Sequence, residues 1–521
     1  MNNKDNLEKN TRTNWVLTLI SRMTGLLRDG ALSRIFGTGI LASSFYFAFL
    51  IPNLFRRLFG EGALAAAFLP SYSKLHHEDP ATARAFASLT ISKLVVLLGA
   101  LTLIGEIALY AITSFQEEPS PALELTMVML PYMPLVCCVA IFAAMLHVHD
   151  RFGIPAAAPI ILNGCMIVVA VALLGVFENP LHSMFAIGAS ILIAGVIQVA
   201  WSLHALRRYG WFTKETEPGK SEFKAMKHRM IPMVIGLGTL QLNTLFDGLI
   251  ASWPNLFGDT IFGLQYPLGE GAMGSLTWAQ RLYQFPLGVF GIAVATAIYP
   301  LLAKQSNDPR SFASTIQRGL RLVVFIGLPA SAGLIMVRNP LAATVFQGVN
   351  FTSEDAMIVG SVLLGYAPAV WAYSMTQVLT KGFYAKDDTK TPVKVAVACM
   401  VFNAILNITL IWTPLNIAGL AWSTAICAVL QVSILLFYFR KHVPIIATPE
   451  VVSSWISTAL LTLFMSAGVS GVVISMWQPK SDWSHAIVVL LVAIVTGIAI
   501  FGFGSAMLRK PELRWILGRQ Q

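Results

Sequence analysis

Residues 21–70 read SRMTGLLRDGALSRIFGTGILASSFYFAFLIPNLFRRLFGEGALAAAFLP. Two apolar runs of helical length carry Arg22, Arg28, Asp29, Arg34, Arg56, Arg57 and Glu61 among Leu, Phe, Ile and Ala. In a bilayer that is costly: a charge at the hydrocarbon centre costs about 2.5–3.5 kcal/mol on insertion scales, so such residues face a polar interior. The excess here is cationic, and the guanidinium fork suits phosphate oxygens best. The stretch therefore predicts a hydrated cavity shaped for an anion, inside a membrane protein.

The rest of the chain supplies the membrane. Of its 521 residues 56% are hydrophobic and 12% charged, about half the charged fraction of a soluble domain; the mean hydropathy is +0.68. At about 20 apolar residues per crossing, the pattern predicts fourteen transmembrane helices. They fall near 14–36, 41–70, 83–114, 122–148, 155–176, 183–206, 225–253, 270–303, 314–346, 355–381, 391–413, 417–439, 450–477 and 484–508. Pro52, Pro286 and Pro329 fall inside long spans, where kinks are expected. The polar start MNNKDNLEKNTRTN meets the first span without a small-residue cleavage site, so no removable signal is expected. All five cysteines sit in apolar runs, which speaks against disulfides and zinc fingers.

Loop charge gives an orientation. One set of loops holds Lys74, Arg151, the run Arg207–Arg229, Lys304, Arg310, Lys386, Lys390, Arg440 and Lys441; the alternate set holds one basic residue, Lys480. By the positive-inside rule the first set is cytoplasmic. An even span count then places both termini there, in keeping with the basic tail Arg509, Lys510, Arg514 and Arg519. The net charge of +10 is thus topogenic, and nucleic acid is not an expected partner.

An internal repeat is visible. AAAFLPSYSKL, ending at Leu75, matches ATAIYPLLAKQ, ending at Gln305; DRFGIPAAAPIILN matches KDDTKTPVKVAVACMVFN. The expected architecture is an all-α polytopic membrane protein of two six-helix lobes, 1–210 and 211–445, with 446–521 as two added helices and a basic tail. Equal orientation of the halves follows from an even number of spans per repeat.

Arg22 and Asp29 lie seven apart, on nearly one helical face, with Arg28 about 120° round; Gly25 between them is expected to admit another backbone. A structural Arg28–Asp29 pair is the plainer alternative. Arg57 and Glu61 are i,i+4 and can pair, leaving Arg56 to turn inward; a cytoplasmic topology signal is the alternative for all of them. Arg281, between Gln280 and Gln284, is the candidate anion contact of the second half. Asp247, Asn403, Asn407, Ser423 and Thr424 offer oxygens for a small hard cation such as Na⁺, against interhelical hydrogen bonding. His147 and His149 read as surface residues. No Walker loop, HExxH or Ser–His–Asp context is present, so the chain is expected to move something rather than convert it.

Four long motifs carry a resemblance: SRxxGLLRD with RIFG, PNLFRRLFGEGALAAAFLP, QRLYQFPLGVFGIAVATAIYP and GFYAKDDTKTPV. In these the chain resembles the MurJ (MviN) family of bacterial lipid II flippases, of the multidrug/oligosaccharidyl-lipid/polysaccharide exporter superfamily. The resemblance implies a fourteen-helix inner-membrane transporter, working as a monomer among membrane lipids. It implies translocation of the undecaprenyl-diphosphate-linked peptidoglycan precursor, with the diphosphate held by Arg22, Arg28, Arg56 and Arg281. Ser21, Asp29, Arg57 and Glu61 fall at positions that shape or gate the cavity. A family sodium site maps to Asp247, Asn403, Asn407 and Thr424, with a carbonyl near Leu420. Three positions depart from the pattern: Ser43 stands for an acid, Gln280 and Gln284 for Asp and Glu, and Asn407 for a second sodium-site carboxylate. An exporter of another lipid-linked glycan, or of drugs, on the same fold is the alternative.

Overall fold

The computed structural model describes residues 3–516 apart from 61–62, 174–175 and 177–178. It is almost wholly helical and divides into two compact units, Met1–Gly274 and Ser275–Gln521.

The first unit opens with α1 (Asn3–Phe36) and α2 (Ile40–Phe55), then α3 (Ala63–Glu78), α4 (Pro80–Ser114), α5 (Pro121–Met129) and α6 (Tyr132–Val148). It continues with α7 (Gly153–Ala172), α8 (Pro180–Leu206), α9 (Lys220–Ala251) and a short α10 (Trp253–Phe257). A two-stranded antiparallel ribbon, β1 (Thr260–Ile261) with β2 (Leu264–Gln265), pairs Thr260 with Gln265 and follows α10. The second unit takes most of α11 (Ala272–Pro286), then α12 (Ile292–Lys304), α13 (Pro309–Phe346), α14 (Ser353–Tyr366) and α15 (Ala369–Ala385). It ends with α16 (Lys390–Leu410), α17 (Ala418–Phe439), α18 (Pro449–Met476), α19 (Trp483–Met507) and the short α20 (Pro511–Ile516).

Eleven helices among the described residues are long and apolar enough to cross a membrane. The expected spans at 14–36, 41–70 and 225–253 are helical where described but are not among the eleven. Two of those three are where the charge sits, with Arg22, Arg28, Asp29 and Arg34 on α1 and Arg56 and Arg57 beyond α2.

The repeat is written into local geometry. Asp79 caps α4, accepting from the amides of Ala81 and Thr82 with Pro80 at the first helical position. Asp308 caps α13 in the same way, from Arg310 and Ser311, with Pro309 next. Each cap satisfies amides that a helix start leaves open, worth about 1 kcal/mol. The α5–α6 and α14–α15 rods both break at a proline, Pro131 and Pro368. Beyond α6 and α15, Asp150 and Asp387 take left-handed backbone at φ 57° and 58°, which Asp tolerates better than most residues.

Two of the three expected proline disturbances coincide with π-helical turns. Arg56–Gly60 follows Pro52 at the end of α2, and Leu287–Gly291 follows Pro286 at the end of α11. The proline ring removes one N–H and crowds the carbonyl four residues back, and widening the turn relieves both. At Pro329 α13 runs on without such a turn.

The second unit packs around Phe312, Phe383 and Phe439 with Leu320, Leu379 and Ala428, all fully buried. Gly365 lets α14 meet α17 closely: a Cβ there would lie 2.7 Å from the Ala421 Cβ and 3.0 Å from the Trp422 amide nitrogen.

Candidate functional site

In the first unit Arg28 and Asp29 are both buried, at 7% and 2% exposure, and they pair. Arg28 donates to the Asp29 carboxylate from Nε at 2.9 Å and from Nη2 at 2.5 Å. Its Nη1 donates to Asn163 Oδ1 on α7 at 2.9 Å. Three of its five N–H donors are thereby engaged. The plainer reading of this dipeptide, a structural pair, is therefore present, and Asn163 joins it.

Asn163 ties the charge pair back to α1. Its amide nitrogen donates to the Ser21 carbonyl at 3.3 Å and to Thr24 Oγ1 at 3.2 Å, while Thr24 itself donates to the Ser21 carbonyl at 3.0 Å. Gly25 was expected to admit a backbone; the nearest atom to a Cβ there is instead Asn163 Nδ2, at 3.6 Å. Sequence reasoning missed Asn163, although the repeat contained the signal. It closes the motif DRFGIPAAAPIILN, as Asn403 closes its counterpart. Replacing Asn163 by Ala removes the acceptor of Arg28 Nη1 inside a buried cluster. A loss of about 1–3 kcal/mol is expected, read as a lowered thermal midpoint of the detergent-solubilised protein; an unchanged midpoint would mean that Asn163 does not hold this arginine.

The other candidates lie apart from that cluster. Arg22 is exposed and Ser21 half-buried on α1. Arg56, half-buried, donates from Nε to Asn53 Oδ1 at 3.0 Å. It shares the π-helical turn with Arg57; Glu61, the expected i,i+4 partner of Arg57, lies outside the described residues. Ser43 is fully buried and its Oγ accepts the Gly274 amide at 3.0 Å, a short-range contact that a carboxylate would crowd.

In the second unit Arg281 is half-buried on α11. Its neighbour Gln280 donates to the Tyr366 hydroxyl at 3.0 Å, and Tyr283 stacks on that same ring with centroids 4.7 Å apart. Gln280, expected only as a missing acid, thus ties the middle of α11 to the end of α14.

The cation candidates satisfy one another. Asn403 donates to Ser423 Oγ at 3.3 Å, Asn407 donates to Asn403 Oδ1 at 3.1 Å, and Ser423 donates to Asn407 Oδ1. Ser423 and Thr424 both donate to the Leu420 carbonyl, at 2.8 and 3.0 Å. Asp247, in the first unit, accepts from Asn243 at 3.5 Å. A sodium ion at Asn403 and Asn407 would have to displace these bonds and would meet no carboxylate from α16 or α17. The residues fit an interhelical polar network better than a sodium site, and no transport step is routed through the ion.

Between α18 and α19 runs an apolar groove of about 620 Å³, lined by Leu461, Phe464, Ala499, Ile500, Phe503 and Gly504. Its lining holds none of the charged residues described above.

Eleven long apolar helices among the described residues, preceded by a helix that buries a guanidinium–carboxylate pair, define a multi-span membrane protein. Solved structures agree on the fold. The chain superposes on "Lipid II flippase MurJ, inward closed conformation" with a TM-score of 0.78 at 22% identity, covering 97% of this chain and 99% of that one. An inward-facing multidrug resistance MATE transporter of the MOP superfamily gives 0.62 at 13% identity, over 83% and 98%. The family profile "Lipid II flippase MurJ" matches residues 32–493. "Probable lipid II flippase MurJ" of Vibrio cholerae is 33% identical over 80% of each chain, and "Lipid II flippase MurJ" of Burkholderia cenocepacia 28% identical over 82% of each. The chain belongs to the MurJ family, whose members are named as flippases, transporters rather than enzymes.

Proposed function

We propose that the protein carries lipid II, the undecaprenyl-diphosphate-linked peptidoglycan precursor, from the cytoplasmic to the periplasmic leaflet of a bacterial inner membrane. Family membership is the observation that carries the reading. The chain crosses the membrane fourteen times, as two six-helix lobes (1–210 and 211–445) and two further helices, with both termini cytoplasmic. Guanidinium groups of Arg22, Arg28, Arg56 and Arg281 replace water around the diphosphate, and Ser21, Asp29, Arg57 and Glu61 shape and gate that chamber. Alternating access moves the headgroup while the polyprenyl tail stays in lipid along the α18–α19 groove; a monomer suffices. The sequence offers no nucleotide-binding motif, so the membrane potential, worth about 2.3 kcal/mol per charge per 100 mV, is the proposed drive.

Depletion of the protein tests this. The precursor should accumulate in the cytoplasmic leaflet and vanish from the periplasmic one. An unchanged distribution would overturn the reading. The MATE-like fold favours drug export as the second reading, which predicts ethidium efflux from vesicles holding the purified protein.

A further inference from the structure

At the end of α6, on the side that loop charge assigns to the cytoplasm, three segments of the first unit meet through rings that the transport reading does not use. The His149 imidazole stacks face to face on Tyr209, with centroids 3.8 Å apart and planes 11° apart. Tyr209 ends a 3₁₀ turn, Arg207–Tyr209, at the start of the connection from α8 to α9. On the α3 side His76 stands edge-on to His149, centroids 4.6 Å apart. Tyr72, one turn earlier, lies 6.1 Å from His76 and 6.5 Å from His149. His147 and His149, expected on the surface, are instead half-buried.

The groups facing His149 set its preference. His149 Nε2 is buried without a hydrogen-bond partner. In a neutral ring that atom can be a bare lone pair, whereas in imidazolium both nitrogens are donors, and a buried charged donor without an acceptor is far more costly. Asp150, next in the chain, favours the charge. His76 opposes it, itself flanked by His77 at 5.6 Å. From the third segment comes the Tyr209 hydroxyl, which accepts from Arg151 Nε at 3.2 Å.

The connection held there is also pinned beyond the turn. The Thr213 amide donates to Ser88 Oγ on α4 at 3.0 Å. Gly219 lies so close to α4 that a Cβ would stand 2.4 Å from the Phe86 nitrogen. In sequence this connection joins the two six-helix repeats.

We propose that His76, His149 and Tyr209 form a pH-sensitive clasp. Neutral His149 holds the α8–α9 connection against the ends of α3 and α6, and its protonation parts the stack and frees the connection. Regulation of transport by the pH of that compartment follows, and this consequence rests on the flippase reading. Burial and then His76 hold the His149 imidazole below the usual histidine value of 6.5, with Asp150 acting the other way. The released ring therefore binds a proton more tightly than the clasped one. The clasp keeps its full stability above about pH 6.5 and loses it as the pH falls below that value.

Amide hydrogen exchange over residues 207–212 of the full-length protein in nanodiscs, with EDTA present and corrected for intrinsic rates, reads the clasp directly. Exchange should be about tenfold faster at about pH 5.5 than at about pH 7.5. His149→Phe, which keeps a ring on Tyr209 but cannot charge, should stay protected at both. His76→Phe removes an imidazole that disfavours charge on the clasped His149, so clasped and released rings bind the proton more nearly alike and the difference in exchange between the two pH values should shrink. Equal protection of the wild type at both pH values, the same opening in His149→Phe, or an undiminished pH response in His76→Phe would each overturn the clasp. So would a pH response that appears only when Zn²⁺ replaces EDTA, which would make the pair metal ligands. The readout is local exchange rather than translocation, so its failure leaves the flippase reading standing.

Discussion

Arg28→Ala should stop precursor translocation, and the double variant Arg28→Gln/Asp29→Asn should restore stability without restoring transport. The two outcomes must be read together because Arg28 has two possible jobs. It neutralises Asp29, which is 2% exposed, so truncating it takes the paired cation from a buried carboxylate at a cost of about 3–5 kcal/mol. A dead single variant would show only that the helix needs its charge pair. The double variant removes both charges and keeps amides of similar size beside Asn163, which can still accept from or donate to them. Its thermal midpoint should return most of the way to wild type. If the guanidinium also meets the diphosphate, the lost charge-assisted hydrogen bonds weaken the precursor by about ten- to hundredfold. Normal precursor distribution in cells carrying the double variant would make Arg28 a structural residue and remove it from the cavity.

This ambiguity shows where sequence reading ran out. Hydrophobic run length located the helices, and proline and Asp–Pro positions located their breaks, because those effects act within a few residues. The arginine-rich first helix was legible for the same reason: charge in an apolar run is a local anomaly. What each charge touches is a tertiary fact. Helical spacing placed Arg22 with Asp29, yet the long guanidinium of Arg28 folds back on its own neighbour and reaches Asn163 on α7. An asparagine in an apolar helix carries no charge to draw the eye. Only its repeat counterpart Asn403, buried in a polar cluster of its own, could have pointed to it.

The tail shows the same limit from the other side, and it carries the second large effect. Arg509, Lys510 and Arg514 read as part of a basic, topogenic tail, but Lys510 is 6% exposed and the acid beside it, Glu512, is fully buried. Glu512 accepts from Arg321 Nε on α13 at 2.7 Å and from Ser454 on α18 at 2.6 Å. Lys510 donates to the Ser454 carbonyl at 3.0 Å. Arg318 and Arg321 both lie over the Trp515 ring, at 4.6 and 5.0 Å. The short α20 thus fastens the ends of α13 and α18 through one carboxylate.

Arg321→Ala should cost about 3–5 kcal/mol, because Glu512 is left charged with no route to water. Glu512→Gln should cost less, about 1–3 kcal/mol, since Arg321 keeps its stacking on Trp515 and is partly exposed. The ordering, rather than either figure, is the test, and thermal unfolding in detergent reads it. Acid adds a second check. Burial pushes the Glu512 carboxyl up, but hydrogen bonds from Ser454, its own backbone amide and Arg321 bring it below the usual 4.5. The folded state therefore holds this proton more weakly than the unfolded one. Its contribution is whole above about pH 4.5 and fades as the pH falls through the lowered value. Wild type should lose stability over that range more steeply than Glu512→Gln, which has no proton to take up there. Parallel slopes would mean that the buried carboxylate is not charged and that α20 is held by packing on Trp515 alone.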